Sequence, residues 1–90
     1  MALWIKTDGT ITEVEPKNGK DFSLDEVKLY IGGGYIEVIG VPDGLMVLDE
    51  DGKQKRLPFN KLATAVARPV IQTDDFIVGD VLVCKRWQLE

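Results

Sequence analysis

Hydrophobic and polar positions along the chain form short segments that are separated by turn residues. Near the start, the β-favouring runs at residues 2–6 and 11–15 flank residues 7–10, which contain the dipeptide Asp8-Gly9. An Asp-Gly pair between two such runs is typical of a tight hairpin, because glycine readily adopts the positive φ that the turn requires. The pattern therefore predicts that the domain opens with a β-hairpin.

A helix is predicted after this hairpin. Residues 23–26 fit a capping box, in which the Ser23 hydroxyl and the Glu26 carboxylate each accept a hydrogen bond from the other residue's backbone N–H. Glycines at 32–34 can end the helix by adopting left-handed dihedrals. Since a helix this short is stable only when it packs on a sheet, it should bury an apolar stripe. The spacing assigns to that stripe Leu24, Val27 and Ile31.

The middle of the chain predicts a three-stranded meander. Strand patterns cover residues 35–41, 45–50 and 53–57, with turns at Pro-Asp-Gly (42–44) and Asp-Gly (51–52). The second strand is apolar on both faces, which indicates a central position in the sheet. The third is rich in lysine, which is typical of a sheet edge that charge protects from further pairing.

A second short helix and a closing strand follow. Asn60 is a favoured N-cap ahead of helix-forming residues, and Pro69 should force Arg68 into extended geometry, so that the helix ends near Ala67. Leu62 and Val66 are expected to share its buried face. Residues 76–84 then predict a closing strand with a kink or bulge at Gly79-Asp80 and with Cys84 as a buried apolar residue.

These elements predict a single domain over residues 1–90. Its fold class is α+β: a small, mostly antiparallel sheet, made of an N-terminal hairpin, a central meander and a closing C-terminal strand, with two short helices. The core of a 90-residue chain is thin, and small domains of this kind often gain stability by pairing. A homodimer through an exposed strand edge or apolar face is therefore one expected arrangement.

Composition removes most kinds of catalytic chemistry. The chain has no histidine and one cysteine, so zinc sites of the usual Cys and His type are excluded, and Cys84 has no evident activating partner. The acid pairs Asp49/Asp51 and Asp74/Asp75 lie in turn-like segments, where carboxylates are normally solvated. We therefore expect a non-enzymatic domain without a cofactor or a metal.

Charge and cysteine content also bear on partners and location. A net charge of −4 argues against nucleic acid as a partner, since nucleic-acid-binding domains usually carry a basic excess on one face. A lone cysteine is typical of a reducing compartment, and no apolar run is long enough to cross a membrane. These features predict a cytoplasmic protein that makes no membrane contact.

Charge is segregated along the chain. Residues 23–51 hold seven acids and one base, whereas residues 52–70 hold five bases and no acid. One interpretation is that neighbouring elements pair these charges. The other is a basic patch for a small anionic ligand such as a nucleotide, in which side chains of the second segment supply charge and hydrogen bonds: Arg56, Asn60, Lys61, Thr64 and Arg68. For Asn60, the helix cap is the competing interpretation.

Several sequence elements together resemble a family of small uncharacterised domains from bacteriophages, plasmids and bacteria. They are Gly-Gly-Tyr-Ile-Glu (33–37), Pro-Asp-Gly-Leu (42–45), Asp-Glu-Asp-Gly-Lys (49–53), Leu-Pro-Phe-Asn-Lys-Leu-Ala-Thr (57–64) and Ile-Val-Gly-Asp-Val-Leu-Val (77–83). The resemblance covers nearly the whole chain. It implies one α+β unit and a mobile-element context, but no catalytic residues.

Two functional hypotheses follow from these observations. In the first, the chain is an accessory domain, such as a phage- or plasmid-derived modulator, that binds an unknown host protein through a strand edge or through an aromatic surface formed by Trp4, Tyr35 and Trp87. In the second, it binds the small anionic ligand described above. A purely structural subunit is a third possibility, and the sequence leaves all three open.

Overall fold

Five antiparallel strands and two α-helices form within residues 2–90, the part of the chain that the computed structural model describes. In chain order the elements are β1 (Ala2–Ile5), β2 (Ile11–Val14), α1 (Leu24–Ile31), β3 (Ile36–Val41), β4 (Gly44–Asp49), α2 (Lys61–Ala67) and β5 (Val81–Cys84). The predicted α+β class, with a small antiparallel sheet and two short helices, is confirmed.

The strands lie side by side in the order β2-β1-β5-β4-β3. The last strand in the chain is therefore the central one, and it joins the β1–β2 hairpin to the β3–β4 hairpin. Val83 lies opposite Leu3 on one side and opposite Met46 on the other. The edges of the sheet are β2 and β3.

The two helices pack on opposite faces of this sheet, because side chains alternate in direction along each strand. On the face that we call the α1 face, Val27 packs in a buried cluster with Phe22, Val47 and Leu82. On the α2 face, the buried cluster contains Ile5, Met46, Val81, Ala63 and Ala67. Each face of the sheet is therefore covered by a single helix.

Helix α1 begins and ends as predicted. Ser23 and Glu26 form the capping box, and Gly32 has a left-handed φ of 90°. The predicted stripe is wrong at Leu24, whose side chain is 49% exposed, while Val27 is fully buried. Glu26 takes the inward position in the first turn instead, because its carboxylate accepts hydrogen bonds from the backbone N–H groups of Lys17 and Ser23.

The predicted meander is correct for two strands and wrong for the third. Strands β3 and β4 form a hairpin around Pro42 and Asp43, and Asp43 has a φ of 72°, the positive value that a type II turn requires at this position. Residues 53–57, predicted as a lysine-rich edge strand, form turns instead. The Asp49 carboxylate accepts hydrogen bonds from the Asp51 N–H and the Lys55 ammonium, and these bonds hold the segment in its turns.

The closing strand is shorter than predicted. Residues 76–78 lie outside β5, which begins at Val81 after Gly79 has taken a φ of 79°. The Gly79 N–H donates to the Pro58 carbonyl, and Val78 forms an isolated antiparallel bridge with Phe59. The first half of the predicted strand therefore pairs with the segment that precedes α2 and not with the sheet.

Helix α2 ends at Ala67 as predicted, but the predicted extended geometry of Arg68 is wrong. Arg68 is helical, with φ −50° and ψ −41°, and begins a 3₁₀ helix over Arg68–Val70. Pro69 fits there because, in the first turn of a helix, the backbone N–H that proline lacks would have no partner within the helix. The buried face is also shifted: Leu62 and Val66 are half-buried, and the fully buried residues are Ala63, Thr64 and Ala67.

Within residues 2–90, neither helix has the length and apolar character needed to cross a bilayer.

Candidate interaction surface

Strand β3 presents an unpaired edge along its whole length. It pairs with β4 on one side only, from Ile36–Asp49 to Val41–Gly44. The Tyr35 carbonyl accepts a hydrogen bond from the Glu50 N–H at 2.9 Å, so residue 35 belongs to a hydrogen-bonded pair. Because hydrogen-bonded and non-bonded pairs alternate in an antiparallel ladder, residues 37, 39 and 41 also bond to β4.

The intervening residues of β3 therefore point their backbone groups away from the sheet. These are Ile36, Val38 and Gly40, and within residues 2–90 no side chain or loop forms a hydrogen bond to their N–H or C=O groups. Gly40 is exposed, and Val38 is 40% exposed. Three successive outward N–H and C=O pairs make this edge a template for a further strand.

The edge of β2 is a weaker template. The Lys6 N–H donates to the Thr10 carbonyl, and by the same alternation only Ile11 and Glu13 point their backbone groups outward. The strand has four residues compared with six in β3. We therefore take β3 as the candidate interaction edge. Sequence reasoning missed it because the predicted strand at 53–57 would have occupied the end of the sheet.

A cavity of about 240 Å³ lies beside β3 on the α2 face, and we call it the β3 cavity. Its walls combine apolar side chains with carboxylates. They come from β3, from β4 and its turn, and from the segment before β5: Glu37, Ile39, Leu48, Asp49, Glu50, Lys53, Ile71, Asp75, Phe76, Ile77 and Val78. A chain that lay along β3 would pass its α2-face side chains over this cavity.

Lys53 forms part of the rim of the β3 cavity. Its ammonium pairs with the Asp75 carboxylate and lies 4.6 Å from the centre of the Phe76 ring. The hydrogen bond from Lys53, followed by that from the Phe76 N–H, lowers the pKa of Asp75 below its ordinary value. Asp75 is therefore held in its charged form. Phe76 in turn packs edge-to-face against Phe59, with ring centres 6.1 Å apart.

The basic segment 52–70 is not one patch of free charge. Lys53 pairs with Asp75, and Lys55 lies 2.7 Å from Asp49, whose side chain is 3% exposed. Arg68 donates to the carbonyls of Gln72 and Thr73. Arg56 and Lys61 are exposed. The predicted anionic-ligand residues are thus divided between turn, helix and interior.

Asn60 and Thr64, the predicted hydrogen-bonding members of that site, lie inside the domain. Asn60 is 1% exposed and Thr64 is 5% exposed. The Asn60 side chain accepts from the Ala63 N–H, as the predicted N-cap, and donates to the carbonyls of Ile5 and Gly79. The Thr64 hydroxyl donates to the Asn60 carbonyl and accepts from the Ile77 N–H. These side chains hold α2 against the sheet.

The three predicted aromatic residues do not share one surface. Trp4 is half-buried and donates its indole N–H to the Tyr30 carbonyl at 2.9 Å. Tyr35 and Trp87 are 72% and 73% exposed and lie near opposite ends of β4, since Tyr35 bonds to Glu50 and Trp87 lines a cavity with Gly44. Within one copy, each exposed ring is therefore a separate feature.

Cys84 is buried, as predicted, at 2% exposure. Burial raises the pKa of its thiol above the ordinary value, which disfavours the reactive thiolate. Among residues 2–90, no group of three acidic or cysteine side chains is placed to hold a metal ion.

Comparison with known proteins gives one match. The family model described as a domain of unknown function, DUF3846, matches residues 1–88. Neither a curated protein nor a solved structure matches the chain.

Proposed function

Because the chain belongs to DUF3846, a family of domains of unknown function, we propose its role from its geometry: it is a non-enzymatic interaction domain that binds an extended segment of another protein along the free edge of β3. The observation that carries this proposal is the row of unpaired backbone groups at Ile36, Val38 and Gly40. A strand added there gains main-chain hydrogen bonds without any rearrangement of the sheet.

Side chains on both faces of β3 would give this binding its specificity. In strand addition, the main chain supplies affinity, and pockets for alternate side chains supply selectivity. On the α2 face, the partner's side chains would pass over Glu37, Ile39 and the β3 cavity. On the α1 face they would meet Val38, which is 40% exposed. A segment with alternating apolar residues fits this surface.

The biological context of the proposal rests on the sequence resemblance to phage and plasmid domains. In that context the bound segment belongs to a host protein, and binding takes place in the cytoplasm. The alternative, an anionic ligand held by residues 56–68, has weaker support because Asn60 and Thr64 are already hydrogen bonded in the interior.

Selection of peptides tests the proposal directly. Random peptides displayed on phage are selected on the folded domain, and the bound peptide is mapped by changes in the backbone amide resonances. We expect enriched peptides to shift the resonances of β3 most, with slowed hydrogen exchange at Ile36, Val38 and Gly40. Peptides that enrich but map to another surface, or a library from which no peptide enriches, would count against edge binding.

A pair of proline variants provides the matched control. Val38→Pro removes an outward N–H of β3, and Glu13→Pro removes an outward N–H of β2, so that both leave the ladder bonds inside the sheet intact. We expect Val38→Pro to weaken peptide binding by about tenfold or more and Glu13→Pro to leave it unchanged. Circular dichroism verifies that both variants fold. Equal binding by the two variants would contradict the assignment to β3.

A further inference from the structure

We infer that the free edge of β3 also pairs with a second copy of this chain, in an antiparallel arrangement about a two-fold axis beside Val38. The inference rests on the proposed function only in sharing the same edge. It extends the sheet of one copy directly into the sheet of the other. The two five-stranded sheets would join into one continuous ten-stranded sheet.

The outward backbone groups of β3 are self-complementary. In an antiparallel pair centred on Val38, Ile36 faces Gly40 of the second copy, Val38 faces its own equivalent, and Gly40 faces the second Ile36. These are the residues whose N–H and C=O groups are unpaired in one copy, so all three pairs are of the hydrogen-bonded type. The register therefore satisfies every outward group of both strands at once.

The side chains of β3 tolerate this register. Glu37 faces Ile39 of the second copy, so no two like charges lie directly opposite each other. Val38, 40% exposed in one copy, meets a second valine. The pairing consequently covers exposed apolar surface, and the two Glu37 carboxylates become diagonal neighbours instead of a directly opposed pair.

Gly40 is unexplained by the fold of a single copy. Its φ is not in the left-handed region, and a Cβ at this position would meet only the Arg86 guanidinium, at 3.7 Å. A glycine inside a strand weakens it and often marks the close approach of another chain. In the paired register, Ile36 of the second copy can lean over the bare backbone of Gly40, as large side chains do over edge glycines.

The exposed aromatic rings enlarge the interface. The register brings Tyr35 of one copy beside Val41 of the other, and Val41 lines a cavity of about 410 Å³ with Trp87. Both rings are more than 70% exposed in one copy. A specific interface needs roughly 1,000 Å² in total, and partial burial of these rings would add to the area that the strands bury.

Self-pairing would regulate recruitment of a partner. The same N–H and C=O groups cannot serve a second copy and a foreign strand together, so a foreign segment must displace the second copy. The apparent affinity for the foreign segment would then fall as the concentration of the domain rises.

Charge pairing across the two-fold axis tests the register. Sedimentation equilibrium of the full chain should show a monomer–dimer equilibrium. Val38→Lys and Val38→Glu place like charges opposite each other, and each should raise the dimer dissociation constant by about tenfold or more. An equimolar mixture of the two variants should restore the dimer, since opposite charges then face each other. Val38→Thr, which keeps the shape of valine without a charge, should dimerise like the wild type.

The outcomes separate this inference from the proposed function. A wild-type chain that stays monomeric at all concentrations overturns self-pairing, and peptide selection on that monomer then tests edge recruitment alone. Dimers that persist in both charged variants, or a mixture that stays monomeric, overturn the Val38 axis. Circular dichroism of each variant shows that loss of pairing does not reflect loss of the fold.

Discussion

The side-chain amide of Asn60 donates a hydrogen bond of 3.1 Å to the carbonyl of Ile5, which lies 55 residues earlier in the chain. The same amide donates to the Gly79 carbonyl at 2.8 Å, and its oxygen caps α2. One buried side chain therefore ties the first strand, the second helix and the approach to β5 together.

Removing the Asn60 amide should destabilise the whole domain. Asn60→Ala loses the cap, worth about 1 kcal/mol, and the amide's hydrogen bonds to two carbonyls, so we expect a total loss of about 3 kcal/mol in the free energy of unfolding. Asn60→Asp keeps the cap oxygen but places a carboxylate against the carbonyls of Ile5 and Gly79. Urea denaturation measures both variants. An aspartate variant as stable as the wild type would contradict this role.

Two glycines of the β3–β4 hairpin should respond to alanine in opposite directions. At Gly44 a Cβ would clash with the carbonyl oxygen of Cys84 on the neighbouring strand, and we expect Gly44→Ala to cost about 2 kcal/mol. At Gly40 the nearest atom is the end of the flexible Arg86 side chain, so Gly40→Ala should stabilise the monomer by about 0.5 kcal/mol. Thermal unfolding at low concentration compares the two. A destabilising Gly40→Ala would show that this glycine is needed within one copy.

The two lysine–aspartate ion pairs beside β4 should differ in their contribution to stability. Lys55 bonds to Asp49, which is almost fully buried, whereas both Lys53 and Asp75 are substantially exposed. Lys55→Met leaves a buried carboxylate without its cation and should cost about 1–2 kcal/mol. Lys53→Met should cost less than about 1 kcal/mol, since exposed pairs contribute little. Chemical denaturation in low and high salt ranks the pairs, and an equal cost would contradict the assignment.

Stability should fall in acid through Glu26. Hydrogen bonds from the backbone N–H groups of Lys17 and Ser23 hold the pKa of this carboxyl below its ordinary value of 4.5. A lowered pKa in the folded state contributes stability that is present above about pH 4.5 and is lost as the pH falls through the lowered value. Glu26→Gln should therefore flatten the decline in unfolding free energy on acidification. Parallel curves for wild type and variant would exclude this contribution.

The sequence was most informative where local backbone chemistry decides the structure. The Asp8-Gly9 hairpin, the Ser23–Glu26 box and the Asn60 cap are formed by neighbours in the chain, and all three were predicted correctly. Failures came where distant residues compete. The Asp51-Gly52 turn signal predicts a further strand at 53–57, but the buried Asp49 carboxylate holds Lys55 in a turn, and no local pattern indicates that contact.

The candidate surface was harder to predict than the fold. Whether β3 is an edge depends on which strands pair with one another, and the insertion of β5 between β1 and β4 links residues far apart in the chain. The exposure of Tyr35 and the burial of Asn60 follow from the same arrangement. Composition predicted a strand edge as an interaction site without saying which strand would provide it.

The central position of β5 has a consequence for synthesis on the ribosome. Both hairpins are complete before Val81 has been translated, but neither can join the other until residues 81–84 emerge. Without that strand, each hairpin is an isolated two-stranded unit, which is marginally stable at best in water. We therefore expect the two hairpins to join in one cooperative step, once residues 81–84 are available to pair with both of them.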